Sequence, residues 1–168
     1  MSRFRRIAWP LGGLFVALLG ARSAQAQNNA SASVTATVQQ PITVTKNNDL
    51  SFGNVFPGLD KTIAVTVGGA AKFTVSGQAS TPVNLTFTLP ATIASGGNNL
   101  TINSWTGHYN TVDAPTGGTS FTPSPSATTA TLAVGGSLYV YVGATAAPTA
   151  SQAAGSYSGT MTMTVVYF

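Results

Sequence analysis

Few residues in this chain could carry acid–base or nucleophilic chemistry. There is a single histidine, His108, and the acidic side chains are Asp49, Asp60 and Asp113. A hydrolytic triad needs a nucleophile, an imidazole base and a carboxylate that orients the base. Asp113 lies five positions from His108 and serines are plentiful, so the ingredients exist by type. Their setting argues against the reaction. His108 stands in a Gly/Asn-rich stretch, and the chain has no nucleophile elbow, phosphate loop or metal-ligand cluster. Without cysteine, thiol catalysis and disulfides are both excluded. The expectation is no catalytic residue, no cofactor and no metal. Asp49 and Asp60 read as turn caps. A second group, Trp105, His108, Tyr109 and Phe121, could stack a sugar if exposed, or cover one end of a core.

The elements that must position these residues are strands. The N-terminus reads first as a targeting segment. Arg3, Arg5 and Arg6 precede an apolar run, Ile7 to Leu19, and Ala24-Gln25-Ala26 has the form of a cleavage site. Residues 1–26 are therefore expected to be a signal peptide, with export through the general secretory route. That removal changes the charge. All four arginines lie within residues 1–26, leaving Lys46, Lys61 and Lys72 against Asp49, Asp60 and Asp113. The remaining chain is formally neutral, so a nucleic-acid surface has no basic residues to rest on. No later run is long and apolar enough for a spanning helix, and no stable membrane insertion is expected. With so few charges, a surface that packs against copies of itself is the natural expectation.

Period-two alternation dominates the rest of the chain. Residues 31–38 and 42–45 read as strand pieces broken by Gln39-Gln40-Pro41, because Pro41 has no N–H for a ladder. Leu50 to Phe56 reads as a strand closed by Pro57-Gly58. TIAVTV at 62–67 and KFTVS at 72–76, around Gly68-Gly69, predict a hairpin. VNLTFTL at 83–89 and residues 100–105 are strands, and 106–127 is a long loop. Residues 129–134 and 138–142, around Gly135-Gly136, predict a second hairpin. An alanine-rich connection over 144–154 leads to a long terminal strand. There Gly155, Tyr157, Gly159, Met161, Met163, Val165 and Tyr167 share one parity, against mostly Ser and Thr on the other. Glu is absent, and nothing predicts a substantial helix. Eight to nine short strands with turn signals give an all-β antiparallel sandwich.

The C-terminal pattern resembles the chaperone–usher pilin signature: Gly155 fourteenth from the end, alternating Met161, Met163 and Val165, and a penultimate Tyr167. The wider chain is similar to secreted bacterial β-proteins of unassigned function, close to the spore coat protein U and archaic pilin group. The similarity lies in PITVTKNNDLSFGNVFPG at 41–58, AKFTVSG at 71–77, ATLAVGGSLYVYVGA at 130–144 and the terminal strand. The chain departs from typical pilins in lacking a disulfide. The resemblance implies an incomplete immunoglobulin-like β-sandwich over 41–168 that lacks its last strand. It implies a donor strand in the extension 27–40, with Ala30, Ala32, Val34, Ala36 and Val38 entering a neighbour's groove. The acceptor edge would be Gly155 to Tyr167, occupied in transit by a periplasmic chaperone and handed on at an outer-membrane usher. The implied product is a homopolymer, a cell-surface fibre or coat.

Periodicity alone leaves 31–38 equally open to completing its own sandwich, since alternation identifies a strand and not its partner. The contrasting reading is therefore a self-complete secreted sandwich that binds a glycan or matrix partner through 106–127. A small outer-membrane barrel is the third reading, with strands that are short for a membrane and a threonine-rich lipid face.

Overall fold

The computed structural model describes residues 28–168. The expected signal peptide, 1–26, lies outside the described residues. The chain divides into a unit ending at Ala36 and a second unit, Thr37–Phe168. In the first, residues 28–36 carry no strand and are exposed.

The second unit is all-β and antiparallel, without a helix among the described residues. Ten strands run in order: β1 Thr43–Asn48, β2 Lys61–Ile63, β3 Ala71–Ser76, β4 Pro82–Thr88, β5 Thr92–Ser95, β6 Asn98–Asn110, β7 Thr119–Phe121, β8 Thr128–Thr131, β9 Ser137–Ala147 and β10 Thr162–Tyr167. The larger sheet has the order β1-β3-β9-β6-β5, with β2 also on β9 and β7 also on β6. The smaller sheet is β10-β4-β8. The two sheets form a sandwich-like fold.

The alternation read from the sequence is what holds the sheets together. Phe73 and Val75 of β3, Val83, Leu85 and Phe87 of β4, Leu138, Val140 and Val142 of β9 and Met163 of β10 form one buried cluster. Each set sits two residues apart because successive strand side chains point to opposite faces. Beyond the smaller sheet, Leu100 and Ile102 of β6 and Ala144 and Ala146 of β9 form a second cluster. A bulge in β6, where the register shifts between Asn103 and Thr106, reverses its parity. Ser104 takes φ 51° there, so even positions face inward before the bulge and odd ones after it.

Several expected elements are differently arranged. Residues 31–38 and Leu50 to Phe56 carry no strand. The first hairpin does not form: β2 pairs with Ala144–Ala146 of β9, and β3 lies beside β2 along the same strand. The second is an arch, since β8 belongs to the smaller sheet and β9 to the larger, although the Gly135-Gly136 turn itself is present. The 106–127 loop shrinks, because β6 runs to Asn110 and β7 occupies 119–121. The alanine-rich stretch is partly strand, since β9 continues through Ala147. Where strands do form, tertiary pairing outweighs the local turn signal, and small alanines suit the positions of β9 that are buried on both faces.

Candidate functional site: a strand edge beside a groove

The smaller sheet ends at β10, which pairs with β4 from Thr162↔Thr88 to Tyr167↔Val83. Among the described residues no strand pairs with its other side. The opposite edge is blunted. There β8 is four residues long, and the Pro123-Ser124-Pro125 stretch continues past it, with the Phe87 N–H donating to the Ser124 carbonyl at 2.9 Å. A short, proline-guarded edge resists further pairing, and β10 has no such guard.

The larger sheet overhangs the smaller one at this flank. β1 pairs with β3, placing Val44 opposite Val75 and Lys46 opposite Phe73. Partners in an antiparallel ladder share a face, so Val44 and Lys46 lie on the core side. Val75 is fully buried, yet Val44 is 40% exposed. The smaller sheet does not extend far enough to cover it.

A groove of about 950 Å³ opens between segment 46–57 and segment 152–161, which leads into β10. Its lining includes Ala71, Phe73, Leu100, Ile102 and Trp105. Lys46 and Asp49 form an exposed ion pair at the rim, 2.7 Å apart. Uncharged polar side chains, among them Asn48, Ser51, Asn54 and Gln152, share the lining with the apolar ones, and with no other charged side chain there it suits an uncharged strand better than an ionic ligand.

The predicted acceptor edge, Gly155 to Tyr167, is therefore two structures. Residues 162–167 are the free edge strand. Residues 155–160 cross to the larger sheet, where Ser158 and Ala94 of β5 exchange backbone hydrogen bonds of 3.0 and 3.1 Å. Two glycines permit the crossing by close approach. A Cβ on Gly159 would stand 2.6 Å from Ile93 Cγ2, and one on Gly155 would stand 2.6 Å from Ser95 Oγ. Tyr157 packs on the Leu100/Ile102 cluster. Its hydroxyl donates to the Ala153 carbonyl at 2.7 Å and accepts from Gln152 Nε2 at 2.7 Å. Met161, Val165 and Tyr167 are half-buried against the main core.

Tyr167 also fixes where the chain joins the domain. Its hydroxyl accepts from the Gln78 N–H at 2.7 Å and donates to the Gln40 carbonyl. The Gln40 N–H donates to Gln78 Oε1 at 3.3 Å. Gly77 must be small, because a Cβ there would lie 2.7 Å from the Tyr167 hydroxyl. Residue 40 is thus held at the end of β10. Gln40 and Gln78 have no sequence signal that would mark them for this role. Of the predicted donor residues, Val34 is 97% and Val38 94% exposed, and Ala30, Ala32 and Ala36 are exposed as well.

The predicted ligand loop is not a loop at these positions. Trp105, His108 and Tyr109 lie on β6 and Phe121 on β7. Trp105 contributes to the groove lining. Phe121 stacks at 5.6 Å from Phe87 and 5.8 Å from Tyr109, lying across Gly107. Of the two roles open to these aromatics, covering the core is the one observed for Phe121 and Tyr109. His108 is buried, its Nε2 accepting from the Gly118 N–H at 3.2 Å and its Nδ1 lying 3.5 Å from Ser120 Oγ. Asp113 is not the carboxylate of this pair. It binds Lys72 at 2.6 Å and accepts from the Tyr141 hydroxyl at 2.6 Å. The Lys72 ammonium, then Tyr141, hold the Asp113 carboxyl below its ordinary range. Burial, then Asp113, pushes the Tyr141 hydroxyl upward. Lys72 also stands 5.6 Å from the Tyr139 ring and 5.8 Å from that of Tyr141, so the cluster clasps segment 111–115 to the outer face of the larger sheet. Among the described residues no three His or acidic side chains gather as a metal site.

The arrangement defines an all-β sandwich-like domain with one flank open between two strand edges. The chain belongs to the family described as Domain of unknown function (DUF4402), whose model matches residues 42–167. No curated protein matches it.

Proposed function

We propose that this protein is a structural subunit that polymerises by strand exchange into a fibre or coat at the bacterial cell surface. Segment 28–38 of one copy adds to β10 of the next and fills its groove. The observation that carries this reading is the unmatched flank: among the described residues β10 has a bare side, and core-facing Val44 of β1 lies 40% exposed with no strand opposite. A strand added beside β10 pairs that edge and covers that surface, the mode in which main-chain hydrogen bonds give affinity and alternate side chains give fit. The extension has the matching properties. It is uncharged, its apolar residues alternate, and Val34 and Val38 are almost fully exposed. On this reading a chaperone covers the flank in transit, an usher directs assembly, and export precedes both. The resemblance to pilins supports those partners, and the groove supports the need for them.

The experiment is deletion of 28–38 in the exported chain, followed by gel mobility of the surface-extracted protein with and without boiling. The full chain should give a ladder that collapses to monomer only on boiling, and the deletion should give monomer in both lanes. A deletion variant that still forms the ladder would refute the donor assignment. A full chain that is monomeric in both lanes, purified free of chaperone, would refute polymerisation itself.

A further inference from the structure

We infer that successive subunits also touch end to end, the Phe56–Leu59 turn of one seating on the Val134 and Phe168 end of the next. The inference rests on the strand-exchange reading and adds the surface that such exchange forces together.

The length of free chain requires some such contact. Gln40 is fastened to its own domain through Tyr167 and Gln78. Only Gln39 separates it from Val38, the last apolar residue of the donor. Two residue steps reach at most about 7 Å. A donor whose Val38 lies in a neighbour's groove therefore brings its own domain against one end of that groove. The end brought up is the one that holds Tyr167, the start of β9 and the Gly135-Gly136 turn.

Exposed apolar side chains mark which surfaces meet. At the donor's end, Phe168 is 80% exposed, with its N–H donating to the Pro82 carbonyl at 3.2 Å, and Val134 is 90% exposed on the turn before β9. Beyond the other end of β9, about 33 Å away at the usual strand rise, Phe56 and Leu59 are 65% and 64% exposed. Their turn is closed by the Leu59 N–H donating to the Phe56 carbonyl at 3.1 Å, and it is tied to the β9 end through Gly58 N–H and the Thr149 carbonyl at 3.0 Å. Phe56 is also part of the groove lining, and a donor laid antiparallel to β10 would bring its Val38 end out beside the start of β10, on this same side. The two ends differ in composition. A contact between unlike surfaces repeats without closing, which extends a filament, whereas contact between like ends closes a dimer.

The absence of cysteine gives a clean test. Leu59→Cys and Val134→Cys are made singly and together in the exported full chain, treated with a short thiol-to-thiol crosslinker, then boiled under denaturing conditions. The double variant should give covalent multimers beyond dimer, and each single variant should stay monomeric. Covalent dimers from Val134→Cys alone would overturn the inference in favour of contact between like ends. A double variant that forms the boil-sensitive ladder yet never crosslinks would overturn the inference and leave strand exchange standing. A parent chain that gives no boil-sensitive ladder would overturn both.

Discussion

Replacing Val34 and Val38 together by alanine separates the polymer from the domain that builds it. Each substitution removes two methyl groups, and a buried CH₂-sized group contributes about 0.8 kcal/mol. If both side chains pass from the exposed state, 97% and 94%, into a neighbour's groove, the double variant loses about 3 kcal/mol per subunit junction. At about 1.4 kcal/mol per tenfold, that is roughly a hundredfold faster or more complete dissociation. The isolated domain should feel almost nothing, because exposed substitutions of this kind stay within about 0.5 kcal/mol. Two assays are paired. The temperature at which the ladder dissociates in detergent reads the junction. Urea unfolding, followed through Trp105, which is the sole tryptophan after residue 26, reads the domain. The ladder should dissociate at a clearly lower temperature, with the urea midpoint unmoved. An unchanged dissociation temperature would refute burial of these valines at the junction. A lowered urea midpoint would instead place them in the domain's own core.

The geometry sets further outcomes. Tyr167→Phe leaves the half-buried Gln78 N–H without its partner and should cost about 1–3 kcal/mol in urea unfolding. It also frees residue 40, so the Leu59–Val134 crosslink should weaken. Gly159→Ala drives a Cβ to 2.6 Å from Ile93 Cγ2 and should cost about 1–3 kcal/mol. Adding Ile93→Ala, which removes the opposing methyl, should recover part of that loss, and no recovery would show that the crossing fails for another reason. The Asp113 carboxyl is held below its ordinary value of 3.8, so its stabilising contribution is present above that value and fades as pH falls through the lowered one. Asp113→Asn should remove this acid limb from a stability–pH curve, with a modest effect because the carboxyl is half exposed. The raised Tyr141 works in the opposite direction: its contribution is present below the ordinary tyrosine value of 10.0 and fades as pH rises above it, and Tyr141→Phe should flatten that alkaline limb.

The fold class and most of the core follow from the order of residues alone. Strand side chains alternate with period two whatever their partners. The inward sets Phe73/Val75, Val83/Leu85/Phe87 and Leu138/Val140/Val142 were therefore legible from parity alone, and β4 was bounded to within a residue. Gly155 and Tyr167 stood out by spacing. What each does was not legible, because a close approach to Ser95 or a hydroxyl shared by Gln40 and Gln78 joins residues distant in sequence. Partner choice was equally hidden. A glycine pair between alternating runs signals a turn, and the turn at Gly135-Gly136 exists, but only the packing of two sheets decides that its flanking strands go to different ones. The bulge at Ser104 moved Trp105 and Tyr109 to the inner face and His108 to the outer, turning an apparent ligand loop into strand. That β10 keeps a bare side among the described residues is set by packing, because an edge is a property of what is absent beside a strand, and no residue within the strand encodes it.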